Sequence, residues 1–118
     1  MCLSRSKLKT FKDNDNVKIG YKIFDKSHNT YYNPFKGCSL KHTMGSWYEN
    51  RWKETINVGY SLNRKTYISG YHFYSSIPKM WYRNEVVFEC ICENITATGQ
   101  QSLEDAFVAQ SYRLMREV

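Results

Sequence analysis

His72 lies within the run Ser69-Gly70-Tyr71-His72-Phe73-Tyr74-Ser75, with a glycine two residues before it and aromatic rings on either side. An imidazole exchanges a proton near neutral pH, and a glycine lets a ligand or a second backbone approach closely. Catalysis would need a second group within hydrogen-bond reach, such as an orienting carboxylate, a nucleophile or a polarising donor. Glu89, Glu93, Tyr21, Lys22 and Arg83 are the candidates for that partner. Sequence alone does not bring any of them to His72, so the histidine is read first as an architectural residue that bonds a neighbouring backbone or side chain, and second as part of a binding surface.

The four cysteines are Cys2, Cys38, Cys90 and Cys92. In a reducing cytosol they should be thiols. Cys90 and Cys92 are separated by one residue, which on a strand places both sulfurs on one face rather than in the tight knuckle that zinc favours. Cys38 and His42 could add ligands in principle, but ordinary buried thiols are the preferred reading. No metal and no cofactor is expected.

Cations and rings interleave in the middle of the chain. Lys36, Lys41 and His42 precede Trp47, Tyr48, Arg51, Trp52 and Lys53. Tryptophan, tyrosine and arginine dominate the energetic centres of protein interfaces. The same combination binds single-stranded nucleic acid, with cations on phosphates and rings on bases. The competing reading buries Trp47 and Trp52 under a long loop. The candidate binding residues are therefore Lys41, Trp47, Tyr48, Arg51, Trp52, Lys53 and His72.

The charge is unevenly placed. Residues 1–53 carry 11 Lys/Arg against 4 Asp/Glu, a balance of +7, and residues 54–118 carry 6 against 7, a balance of −1; together these give the net +6. A polyanion or an acidic protein surface would be the natural partner if the fold gathers those lysines. No apolar run approaches the roughly 20 residues of a membrane-spanning helix. MCLSRSKLKTFK also lacks the apolar centre of a signal peptide, so a cytosolic protein is expected.

A chain of 118 residues has room for one domain. The turn chemistry of Lys12-Asp13-Asn14-Asp15-Asn16 marks residues 1–16 as a flexible arm ahead of a single globular domain at 17–118. In residues 17–24, Val17, Ile19, Tyr21 and Ile23 share one face and Lys18, Lys22 and Phe24 the other, the period of a half-buried strand. Thr30-Tyr31-Tyr32 can pair back on it. A second strand covers 66–74, with His72 on the face of Ile68, Gly70 and Tyr74. Ser75-Ser76-Ile77-Pro78 reads as a helix start, capped by serine with proline in the first turn, and continues through Arg83. The clearest strand is 85–93, with Val86, Phe88, Cys90 and Cys92 on one face. The last segment has two readings. Ser102-Leu103-Glu104-Asp105 resembles a capping box before a helical face, whereas 106–115 also reads as a strand returning along 85–97. The expected class is α+β: a mainly antiparallel sheet with one or two short helices and long loops.

MCLSR at the start, YKIF at 21–24, GYHFY at 70–74 and VVFECICENITATG at 86–99 stand in an order that resembles a group of small accessory proteins from tailed bacteriophages and their prophage relatives. In that group a YKV-type strand precedes a GFH or GYH strand, a short helix and a long hydrophobic strand. The resemblance covers about half of the chain and implies a protein acting in the cytoplasm of a bacterial host. A more distant similarity, to ADP-ribosyltransferase-like folds, lies in the order of Tyr21-Lys22, Tyr71-His72 and a later Glu89 or Glu93. It would imply a small transferase acting on a nicotinamide dinucleotide. The chain has no glycine-rich phosphate loop, no HExxH and no nucleophile elbow. The leading expectation is a binding protein that modulates, by inhibition, a host bacterial protein. A nucleic-acid or nucleotide-binding module comes second and the transferase third.

Overall fold

The computed structural model of the chain describes residues 3–4, 7–27, 30–32, 41–42, 47–51, 54–58 and 65–118. Ten strands form among them: β1 (Lys9–Thr10), β2 (Val17–Ser27), β3 (Thr30–Tyr32), β4 (Lys41–His42), β5 (Trp47–Glu49), β6 (Thr55–Val58), β7 (Lys65–Ile68), β8 (Tyr71–Tyr74), β9 (Glu85–Gln101) and β10 (Glu104–Glu117). Every pairing between them is antiparallel.

β9 and β10 are the frame. Both bury side chains on both faces over part of their length, as at Val87 and Phe88 in β9 and at Ala106 to Ala109 in β10. They pair as one hairpin from Glu104 opposite Gln101 to Glu117 opposite Phe88. The connecting residues Ser102 and Leu103 have φ of 52° and 65°, the left-handed pair of a two-residue type I′ turn. The register slips between Val108 and Ala109 and again between Leu114 and Arg116. Asn94, with φ 57°, lies beside the first slip. Such bulges increase the twist and bend of a strand.

The bent hairpin is then closed. The second edge of β9 takes β1 at Thr98 and Ala97, and β2 from Glu93 to Glu85. The second edge of β10 takes β8 at 106–109 and β5 at 111–113. β2 meets β8 where Tyr21 pairs with Tyr74. The sheet therefore runs in a circuit β9–β10–β8–β2 and back to β9, which gives each of these four strands a partner on both sides. β3 extends β2, as the hairpin reading of 30–32 expects, and β4 extends β3.

Two apolar clusters follow. Phe24, Phe73, Phe88, Cys90, Cys92, Phe107, Tyr112 and Leu114 fill the inside of the circuit. Gly20 lets β2 lie against them, because a Cβ there would stand 2.6 Å from Phe107 Cζ and 2.8 Å from Phe73 Cβ. On the other face, Ile23, Tyr74, Val87, Ala97, Ala106 and Val108 are covered by Leu3, Leu8 and the Tyr67 ring, with Ile56 and Val58 alongside. Each fully buried large side chain contributes about 1.5–3 kcal/mol. Residues 3–4 and 7–16 lie along β9, through Ser4 N to Gln100 O, Phe11 N to Thr96 O and Asn14 Nδ2 to Ile95 O.

The expected α+β class is corrected: among the described residues the fold is built of strands, with no helix. Residues 75–84 do not take up the helix expected from Ser75 to Arg83. Ser75 N still bonds Asp105 O at the end of the ladder, and a turn closes at the far end through Glu85 N to Tyr82 O and Tyr82 N to Glu85 Oε1. A single turn of helix gains too few internal bonds to offset its nucleation against these partners. The final segment takes the strand reading. β2 also departs from its expected faces. Val17 and Ile19 are 59% and 45% exposed, whereas Lys22 is only 4% exposed, because circuit closure turns the Gly20 face inward. Among the described residues no helix is long and apolar enough to cross a membrane.

Candidate functional site

The edge of β10 beyond β8 holds β5, with Trp47 opposite Arg113, Tyr48 opposite Tyr112 and Glu49 opposite Ser111. This register builds an aromatic column from core to surface. Phe107 and Phe73 stack at 5.6 Å, Phe73 meets Tyr112 edge-on at 5.2 Å, and Tyr112 meets Tyr71 edge-on at 4.7 Å and stacks with Tyr48 at 5.3 Å. Pairs of this geometry contribute about 0.5–1.5 kcal/mol beyond their buried area. Tyr71 Oη donates to Glu49 O at 3.2 Å, locking β5 to β8. Burial, then the Glu49 carboxylate and Tyr48, raise the Tyr71 pKa.

On the opposite, outward face of β5 Trp47 is 43% exposed, and the Arg113 guanidinium lies 5.3 Å from its ring centroid. Arg51, exposed, follows one residue after Asn50, whose backbone N–H bonds Gln110 O at 2.7 Å. The Asn50 side chain donates to Gln110 Oε1 and Ser69 O, while Gln110 Nε2 reaches Thr96 Oγ1 at 2.8 Å. A buried, hydrogen-bonded network thus fixes the chain on which Trp47 and Arg51 are presented. A rigid ring with a guanidinium beside it can enter an apolar recess and engage acidic groups at its rim.

Of the sequence-derived binding residues, Trp47, Tyr48 and Arg51 all lie on this segment, with Trp47 and Arg51 exposed. Tyr48 is half-buried and supports the surface more than it forms it. Lys41 lies on β4 through its backbone pairing with Tyr32. Trp52 and Lys53 lie outside the described residues, as do Lys36 and Cys38.

His72 is placed elsewhere, on the face of β8 opposite Tyr71. Its Nε2 lies 3.0 Å from Tyr67 Oη, which also accepts the Leu3 N–H at 3.1 Å. The two rings meet edge-on at 5.9 Å. Lys22 Nζ donates to the His72 backbone carbonyl at 3.0 Å and lies 5.2 Å from the Phe73 ring centroid. Glu89 is engaged by Arg116 Nη2 at 3.0 Å and by Tyr21 Oη at 3.4 Å. The Arg116 hydrogen bond is the main cause of its lowered pKa.

Cys90 and Cys92 are buried in the core with their sulfurs on one face, as strand geometry requires. Burial pushes the Cys90 thiol up to about 12, against a smaller opposite pull from Lys22, and burial raises the Cys92 thiol further. Burial thus favours the neutral thiol over the thiolate at both positions, so neither is poised as a nucleophile. Among the described residues no three His, Cys, Asp or Glu side chains gather in a metal-binding group.

Arg113 was missed as part of the Trp47 surface, and Tyr71 as the residue that ties β5 to β8. Arg113 lies on another strand, and only the register of β10 with β5 unites it with Trp47. No family model, curated protein or solved structure matches the chain.

Proposed function

We propose that the chain is a binding protein that docks on an acidic, apolar-centred surface of another protein through Trp47, Arg113 and Arg51. The observation that carries this reading is the exposed Trp47 ring, flanked by Arg113 on the outward face of a strand whose other face is anchored by Tyr48 stacked on Tyr112. A tryptophan side chain has only two rotatable bonds to fix on binding, and Arg113 is already held against it, so the pair yields more affinity per contact than freely rotating side chains. The net charge of +6 favours an acidic partner and speeds the encounter. The resemblance to tailed-phage accessory proteins supplies the setting: a host bacterial protein in the host cytoplasm, whose activity the docking inhibits.

Affinity capture from bacterial lysate with wild-type chain, Trp47→Ala and Arg51→Glu tests this reading. The partner retained by wild type at high salt should be lost on Trp47→Ala and weakened by tenfold or more on Arg51→Glu, with the circular dichroism of both variants unchanged. Equal retention by all three removes this surface from consideration.

A further inference from the structure

The fold gathers a second set of cations at the opposite end of β10, and this site is independent of the Trp47 surface. Pairing of Lys9 with Thr98 puts β1 over the end of β9, and the Lys18 ammonium lies 4.8 Å from the centroid of the Phe107 ring. Lys7, Lys9, Lys18, Ser75, Thr98 and Asp105 border an open cavity of about 580 Å³. It continues both ways. On one side, Lys18 and Thr98 also border a cavity of about 300 Å³ flanked by Phe11, whose ring is 47% exposed. On the other, Lys7 and Asp105 also border a cavity of about 420 Å³ that reaches Lys79. The three form one trough.

Four lysines line this trough against Asp105 and Glu104. Glu104 Oε1 already accepts the Lys79 backbone N–H at 3.3 Å. Asp105 opposes an anion at the junction of the central and Lys79 cavities, so the favourable seat lies between Lys9 and Lys18 on the Thr98 side. Hydroxyls of Ser75 and Thr98 add donors. The trough follows β9 from Gln100 towards the start of β2, opposite Glu93. At about 3.3 Å per residue this is a run of roughly 20–25 Å. Length, openness, spaced cations and one exposed ring beside them are the requirements of a strand of linked phosphates and bases rather than of a lone anion.

We propose that this trough binds single-stranded nucleic acid, with phosphates on Lys7, Lys9 and Lys18 and one base stacked on Phe11. The test is fluorescence anisotropy of labelled 15-nucleotide poly(dT) and poly(U), from 25 to 200 mM salt, with wild type, Lys9→Gln, Lys18→Gln, Phe11→Ala and Asp105→Asn. All four positions are exposed, and thermal melts verify that each variant is folded. Three phosphate contacts predict a slope of log K against log salt of about −2, and each lysine substitution should reduce it by about 0.7. Phe11→Ala should weaken binding at least fivefold, and Asp105→Asn should strengthen it. The proposal is overturned by absence of binding at 25 mM salt, or by a slope that both lysine variants leave unchanged. It is equally overturned if Phe11→Ala has no effect while inorganic pyrophosphate competes as well as the oligonucleotide at equal phosphate, since the site would then recognise phosphate alone.

Discussion

Gly70 explains the local composition of the histidine-bearing strand. A Cβ at this position would lie 2.7 Å from Gln110 Nε2, 2.8 Å from the Ala109 carbonyl oxygen and 2.8 Å from Val108 Cγ1. The close approach that a glycine permits is thus used by the backbone of β10 rather than by a ligand. It also leaves Gln110 free to reach Ser69 O and Thr96 Oγ1. Gly70→Ala should therefore lower stability by about 1–3 kcal/mol, measured by urea unfolding; a midpoint within error of wild type would show that β10 yields without cost. The side of β8 on which His72 lies was legible from strand alternation. Its partner was not: Tyr67 is five residues away on β7, and a contact across the Ser69–Gly70 bend has no periodic signature. Glu89 was legible as a candidate carboxylate, but its engagement by Arg116 depends on the register of β9 with β10.

The β9–β10 hairpin decides the fold, and its turn is the element where local chemistry and structure disagree most. Ser102 and Leu103 both adopt positive φ, and Leu103 is 91% exposed at the tip. A bulky residue in this region carries about 1–2 kcal/mol of strain. Replacing the pair with Asn-Gly, the usual type I′ residues, should raise stability by about 1 kcal/mol or more. A denaturation midpoint that does not rise would mean the turn is held without strain. The same residues show why the last element had two readings. Ser102-Leu103-Glu104-Asp105 carries the side chains of a capping box, and a hairpin here would normally announce itself by Asn or Gly. What settles the strand is long-range: β10 offers hydrogen bonds to β9, β8 and β5 together, which a helix would forgo. The helix expected at 75–83 failed for a related reason, since its ends are bonded to Asp105 and Glu85.

At the scale of the molecule, circuit closure buries two thiols in a core that excludes their charge. The unfolded Cys90 thiol ionises near its ordinary value of 9.0, and the folded one only at about 12. Between those values the unfolded state binds fewer protons than the native state, so stability falls as pH rises, by about 1.4 kcal/mol per unit for each such thiol. Cys90→Ala should show a shallower loss of unfolding free energy between pH 9 and 11 than wild type, whatever the cavity costs at neutral pH. Identical slopes would place the thiol in contact with solvent. The antiparallel sheet, the alternation of 86–92 and the hairpin at 30–32 were legible because they depend on period and on short-range turns. The closure of β2 on β8 was not, since a single bridge between Tyr21 and Tyr74 leaves no pattern in the chain. The same limit hid the meeting of Trp47 with Arg113, on which the proposed docking surface rests. That surface is tested most directly by placing a photo-crosslinking amino acid at position 47, with Thr66 on the β6–β7 hairpin as a control, and irradiating in bacterial lysate. Docking through Trp47 predicts one discrete crosslinked protein from position 47 and none from position 66; no adduct from 47, or the same adducts from both positions, would contradict it.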